Sequence, residues 1–218
     1  MPEQGPRSIQ RLTDPRALRA LAHPIRLALL SVLRTEGPLT ATRAGELIGE
    51  SSASCSFHLR QLAKYGLVEE AGGGTGRQRP WRAVAMFTDV PATAADPDFA
   101  AASGRFWSVV AGRYFAQLMR WLEASPAEPP DWRDAAQFGD TMVYLSAAEL
   151  AELGEQLTAL VDGYLDRYSR PELRPPDARL VSFLRIAHPV LDRGPGDHGP
   201  GGHSAGPVPG AADRETRR

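Results

Sequence analysis

Residues 51–67, SSASCSFHLRQLAKYGL, bring together side chains suited to reading a nucleic acid. Cys55, Leu59, Leu62 and Ala63 recur at i, i+4, i+7 and i+8, the stripe of a helix that buries one face. Ser52, Ala53, Ser54, Ser56, Phe57 and Arg60 lie off that stripe. An outer face that is small, hydroxylated and singly charged can enter a DNA major groove and offer hydroxyl and guanidinium contacts to base edges and phosphates, which a bulky acidic face could not do. Arg77 and Arg79 sit in the loop GGGTGRQRP at 72–80, with Arg82 just beyond. A loop tip of this kind suits a phosphate backbone or a narrow minor groove. With Thr40 upstream, the candidate DNA-contacting set is Thr40, Ser52, Ala53, Ser54, Ser56, Phe57, Arg60, Arg77 and Arg79.

These residues need elements to hold them. Thr40 reads as the N-cap of a short helix through Ile48, with Leu47 and Ile48 facing the core, and Gly49 supplies the left-handed residue that ends it. Glu50 and Ser51 make a tight turn, and Ser51 or Ser52 caps the next helix. Gly66 stops that second helix. Leu67 and Val68 then begin a strand that returns at Trp81–Met86 after the loop Gly72–Arg79. The expectation is a helix-turn-helix followed at once by a β-hairpin.

With those elements in place, the chain resembles the ArsR/SmtB (arsenic-repressor-like) winged helix-turn-helix transcriptional regulators over roughly residues 12–90. The most specific pieces are Ala22-His23-Pro24-Ile25-Arg26 at the head of one helix, then Ser56-Phe57-His58-Leu59, then Gly66-Leu67-Val68 and the Gly-Arg wing. The resemblance implies a homodimer that binds an inverted-repeat operator in double-stranded DNA and represses. Metal-sensing members carry a Cys-x-Cys pair in the helix before the recognition helix. The equivalent positions here are Arg43 and Gly45, which cannot ligate a soft metal, so no metal and no cofactor is expected.

Other chemistry weakens on inspection. The glycines at 72–76 are followed by a strand and no lysine, unlike a phosphate-binding loop. Cys55 is the single cysteine, which excludes an internal disulfide, and its place on the inward stripe makes it a small buried hydrophobe. His58, at the edge of that stripe, is expected to be a hydrogen-bonded structural residue, and His23 an entry residue of its helix. The acidic pairs Glu69-Glu70 and Glu149 with Glu152 are solvated charge, and His198 and His203 fall in a Gly- and Pro-rich tail. No catalytic residue is assigned. The N-terminus MPEQGPRSIQ lacks the apolar run of a signal peptide, and nowhere do about twenty apolar residues follow one another, so the expected location is the cytoplasm, without membrane association.

The formal net charge of −1 hides an asymmetry. Residues 14–90 hold nine Arg and Lys64 against seven acidic side chains, net +3, whereas residues 131–177 hold four Arg against ten, net −6. A duplex attracts the first segment and repels the second, which orients the chain with its N-terminal part on the DNA. After a linker at Pro91–Asp98, Phe99–Glu123 reads as a long helix. Phe106, Val110, Tyr114, Leu118 and Trp121 or Leu122 make one stripe, widened by Trp107, Phe115 and Met119 beyond what one neighbour covers. It is expected to be the dimer helix, as the resemblance also implies for helices flanking the winged core. Beyond the break at Ser125–Pro130, Asp140–Leu145 alternates as a strand, Ser146 and Glu149 form a capping box, Leu150, Leu153, Leu157, Leu160, Val161, Tyr164, Leu165 and Tyr168 mark an amphipathic helix, and Leu180–Ala187 is a second strand.

The expected fold is therefore α+β, mainly α: a winged helix-turn-helix domain at 12–90, a long dimerisation helix at 98–124, a small strand–helix–strand unit at 131–190 and a disordered tail at 191–218. The expected function is that of a dimeric, sequence-specific DNA-binding regulator responding to an effector of unknown identity. The alternative is a small enzyme or ligand-binding protein whose activity lies in residues 99–190, a segment with no Cys and only His188.

Overall fold

The computed structural model describes residues 8–72, 79–91 and 96–190. The chain divides into two units, 1–180 and 181–218. Of the second only 181–190 are described, and they form neither helix nor strand.

The first unit opens with β1 (Ile9–Arg11), α1 (Pro15–Leu21) and α2 (Pro24–Thr35). Both helices begin with proline at the first helical position, and each is capped by the residue before it. The Asp14 carboxylate accepts from Arg16 N, and the His23 ring nitrogen accepts from Ile25 N at 3.2 Å. There follow α3 (Ala41–Ile48), α4 (Ser52–Lys64), β2 (Val68–Glu70), β3 (Trp81–Ala83), β4 (Phe87–Asp89) and the long α5 (Pro97–Ala124). The expected signals operate locally. Thr40 accepts from Arg43 N, Ser51 from Ser54 N, and Gly49 and Gly66 end their helices at φ +75° and +65°.

One core joins these elements. Leu18 and Leu21 of α1, Leu29 and Leu33 of α2, Cys55, Leu59 and Leu62 of α4, Leu67 and Val68 at the wing, and Phe99, Ala102, Phe106 and Val110 of α5 are all buried in it. At roughly 1.5–3 kcal/mol for each large apolar side chain taken out of water, this cluster is what sets α4 in place. Leu47 departs from expectation. It stands 41% exposed on α3, while its neighbour Ile48 packs against the core.

The wing is an antiparallel pair, Val68↔Ala83, Glu69↔Arg82 and Glu70↔Trp81. The returning strand ends at Ala83 rather than Met86, because the chain turns there to start β4. β4 pairs in parallel with β1, Ile9↔Phe87 through Arg11↔Asp89, so the folded domain starts ahead of residue 12. Ser8 Oγ accepts from Met86 N at 3.1 Å and Leu12 N donates to Asp89 O at 2.8 Å, which closes this second small sheet.

Beyond α5 lie a 3-10 turn (Ser125–Ala127), α6 (Pro130–Ala135), α7 (Ala147–Asp162), α8 (Asp166–Ser169) and a second 3-10 turn (Pro171–Leu173). The capping box is present: Ser146 Oγ accepts from Glu149 N, and Glu149 Oε2 accepts from Ser146 N at 2.7 Å. The two strands expected around α7 are absent. Residues 140–145 and 180–187 are extended chain without a ladder, and Tyr144, Val181, Phe183 and Ile186 are exposed. Alternating apolar residues favour a strand only when another strand and a packing face receive them. None of the described residues of α6 or α7 is buried, so the expected strand–helix–strand unit is instead one capped helix flanked by extended chain. The expected tail at 191–218 lies outside the described residues.

Candidate nucleic-acid interface

The inner face of α4 is spent on the core, with Cys55, Leu59 and Leu62 at 0% exposure. Its outer face is therefore free to meet another molecule. Ser52, Ala53, Phe57 and Arg60 are exposed, while Ser54 and Ser56 are half-buried. Arg60 has no ion pair among the described residues. Ser52 Oγ lies 3.1 Å from Thr42 Oγ1, a contact that joins the start of α4 to the start of α3. Thr42 escapes sequence reasoning, since nothing in its local pattern separates it from an ordinary helix-surface threonine. Thr40 is held by its capping bond to Arg43 N at 3.2 Å. Its neighbour Arg43 pairs with Glu46 at 2.7 Å.

The turn between the two helices is tight for a definite reason. Glu50 N donates to Gly45 O at 2.9 Å, and a Cβ built on Gly45 would stand 2.5 Å from Glu50 O and 3.4 Å from Cys55 Sγ. Gly45 is thus required by packing, besides offering no ligand. Among the described residues no group of three or more His, Cys, Asp or Glu is placed to hold a metal. Burial pushes the Cys55 thiol up, with Glu50 adding to the effect, which keeps it protonated and unreactive.

On α4, His58 packs against His23 with ring centroids 4.6 Å apart and the ring planes tilted by 39°, and Phe57 meets His58 edge-on at 5.2 Å. His58 is buried, as a structural residue should be, yet its Nδ1 has no hydrogen-bond partner among the described residues, contrary to the expectation. Both imidazoles are pushed below the usual histidine value, first by burial and then by the nearby Arg26 guanidinium, with Glu50 pulling the other way. Arg26 itself is anchored on Ala20 O.

On the wing, Arg79 pairs with Glu70 at 2.9 Å and Arg82 with Glu69 at 2.7 Å. The Arg79 pair is exposed on both sides, so it contributes at most about 1 kcal/mol and yields readily to a phosphate. Arg77 lies outside the described residues.

The five residues expected at a dimer contact separate. Phe106 and Val110 are buried, at 5% and 7% exposure, inside the chain's own core against the first helices, so they are not on a free face of α5. The sequence could not assign them because one stripe serves two neighbours. Leu118 and Trp121 are half-buried and line a groove with Arg133, Gln137 and Phe138. Tyr114 is 38% exposed. The outward apolar face of α5 consists of Trp107, Phe115, Met119 and Leu122. A bidentate pair from Arg19 to Asp98, at 2.7 and 3.2 Å, ties α1 to the head of α5; it links residues 79 apart and left no local signal.

Three helices with a capped, glycine-ended turn, a core-facing recognition helix and a two-stranded wing define a winged helix-turn-helix, a DNA-binding module. Residues 21–71 match the helix-turn-helix domain family, and the chain carries the DNA-binding domain of a transcriptional regulator. No curated protein matches the chain. No helix among the described residues is long and apolar enough to cross a membrane.

Proposed function

We propose that this protein is a homodimeric repressor of the ArsR/SmtB type without the metal site, which binds an inverted-repeat operator and is released by a non-metal signal. The observation that carries the reading is α4 itself: a wholly buried inner face fixes the helix, and its outer face exposes Ser52, Ala53, Phe57 and Arg60. In this reading Ser52, Ala53, Ser54, Ser56 and Phe57 meet base edges, Arg60 and Thr40 meet phosphates, and Arg77 and Arg79 bring the wing onto the backbone or minor groove. One such helix reads only a few base pairs, so useful specificity needs two, held about one DNA turn, roughly 34 Å, apart. The exposed apolar face of α5 at Trp107, Phe115, Met119 and Leu122 supports a dimer through that helix. The test is anisotropy of the purified protein on its own upstream DNA across a salt series, against a scrambled duplex. Tight binding to the upstream fragment, with log affinity falling linearly in log salt, is the expected result. Equal affinity for both duplexes would remove sequence-specific regulation from the reading.

A further inference from the structure

A cavity of about 100 Å³ lies where α1, α2, β4 and α5 meet. Leu27, Leu30 and Val110 contribute apolar wall, and Arg34, Arg113 and Thr88 contribute polar wall. Among the described residues no carboxylate lines it. Neither arginine forms an ion pair among the described residues. Each guanidinium carries five N–H donors. Arg34 uses one on Ala85 O at 2.9 Å and one on Thr88 Oγ1 at 2.8 Å, and Arg113 uses one on Leu27 O at 3.2 Å. These bonds account for how the two side chains are held, and leave most of their donors unspent.

Two positive charges partly withdrawn from water with no counter-charge among the described residues are costly, and the cost shows in their chemistry. Burial pushes the Arg34 guanidinium down to about 10, and lowers that of Arg113 as well. Arg34 remains charged at neutral pH. An oxyanion in the cavity supplies the missing charge and accepts the unspent donors in the forked geometry that guanidinium groups favour. The space holds about three waters' worth of liquid, so the guest is small. The leucine and valine walls distinguish among small anions, since a hydrocarbon body is rewarded there and a fully hydrated inorganic anion is not.

We propose that this cavity binds a short-chain carboxylate, its carboxylate held by Arg34 and Arg113 and its apolar body set against Leu27, Leu30 and Val110. Tyr114 also lines the cavity and is partly exposed. The site joins α5 to β4 and, through the Arg34 bond to Ala85, to the turn between β3 and β4. A bound anion therefore bridges the long helix and the DNA-binding domain.

The test uses the full-length protein and is read without DNA, so its result is separable from that of the proposed function. Sodium butyrate, n-butanol and inorganic phosphate are titrated at constant ionic strength by calorimetry, with thermal denaturation in parallel. Butyrate is expected to bind once per chain and to raise Tm saturably, while butanol and phosphate give no saturable signal. Arg113→Gln, checked for fold by circular dichroism, should weaken butyrate by about tenfold or more, as loss of a charge-assisted bond does. If that variant does not fold, Arg113→Lys keeps the charge and loses the fork, and should still weaken butyrate severalfold. No saturable butyrate binding up to tens of millimolar overturns the proposal. So does binding of phosphate in place of butyrate, or butyrate affinity unchanged in the folded variant.

Discussion

Replacing Gly45 by alanine tests the tightest point of the recognition unit. Two effects oppose each other. Alanine is the better helix former by about 1 kcal/mol, which alone would stabilise α3. Against this, the new Cβ would stand 2.5 Å from Glu50 O, a backbone atom that has no rotamer by which to retreat. Ordinary C···O contacts begin near 3.3 Å, so α3 and the turn must part by roughly 0.8 Å. Overpacking of that kind costs about 1–3 kcal/mol, and loosening the Glu50 N to Gly45 O bond adds about 0.5–1.5. The net destabilisation is therefore about 0.5–3.5 kcal/mol, a fall in Tm of roughly 2–15 °C for a domain of this size. DNA affinity of the folded fraction should fall too, since the displaced turn carries the start of α4. Gly49→Ala is the control: its φ of +75° makes alanine strained, but nothing lies within 4 Å of the new Cβ. That variant should lose stability and keep the affinity of its folded fraction. Thermal denaturation with anisotropy on the upstream duplex reads both quantities. A Gly45→Ala protein as stable as the parent, with full affinity, would show that helix propensity outweighs the contact with Glu50 O.

Three further outcomes are expected. The folded state disfavours protonation of His23 and His58, so the unfolded chain binds more protons below about pH 6.5, and stability should be flat above that pH and decline as pH falls beneath it. His58→Phe should flatten the decline in urea melts from pH 7.5 to 5, and an unchanged slope would assign the loss to other groups. Arg60→Ala should lower the salt slope of DNA binding by about one unit on every sequence, whereas Phe57→Ala should cost about 1–3 kcal/mol at particular base pairs; the reverse pattern would exchange their roles. Phe115→Glu, on the outward face of α5, should give a folded monomer with weak, non-specific DNA binding by light scattering and anisotropy, whereas Val110→Glu buries a charge in the core and should unfold the chain. A Phe115→Glu protein that stays dimeric would move the interface off this helix.

What was legible in the sequence was what is decided within a few residues. Thr40, Gly49, Ser51 and Gly66 act on their immediate neighbours, and the stripe Cys55, Leu59, Leu62 repeats at the helical period, so α3, α4 and the start of the wing could be placed before any tertiary contact was known. The pairing of β1 with β4 could not. Its strands are three residues long, both are mostly exposed or half-buried, and the bond from Met86 N to Ser8 Oγ spans 78 positions. The false strands at 140–145 and 180–187 are the converse case. Their residues have strand-forming character, but a ladder is a property of two segments together, and periodicity in one cannot supply the other.

The surroundings of the arginines were not legible in the sequence. Arg34 stands at the end of the run Leu27–Leu33, and nothing in that run sets it apart from a solvated charge. Its surroundings are set by Ala85 and Thr88, 51 and 54 positions away, and by α5 beyond them. The same holds for Arg113, which bonds Leu27 O across 86 positions. Surface arginines such as Arg60 and half-buried ones such as Arg34 are alike in sequence, and the charge count of residues 14–90 adds them together. They act in opposite ways. An exposed guanidinium contributes to the long-range field that draws a duplex in, whereas one held beside an apolar cavity is screened from that duplex and exerts its attraction on whatever small anion can enter. The net +3 of the DNA-binding segment thus overstates what faces the DNA by at least the charge on Arg34, and the charge withheld there is what makes the cavity selective.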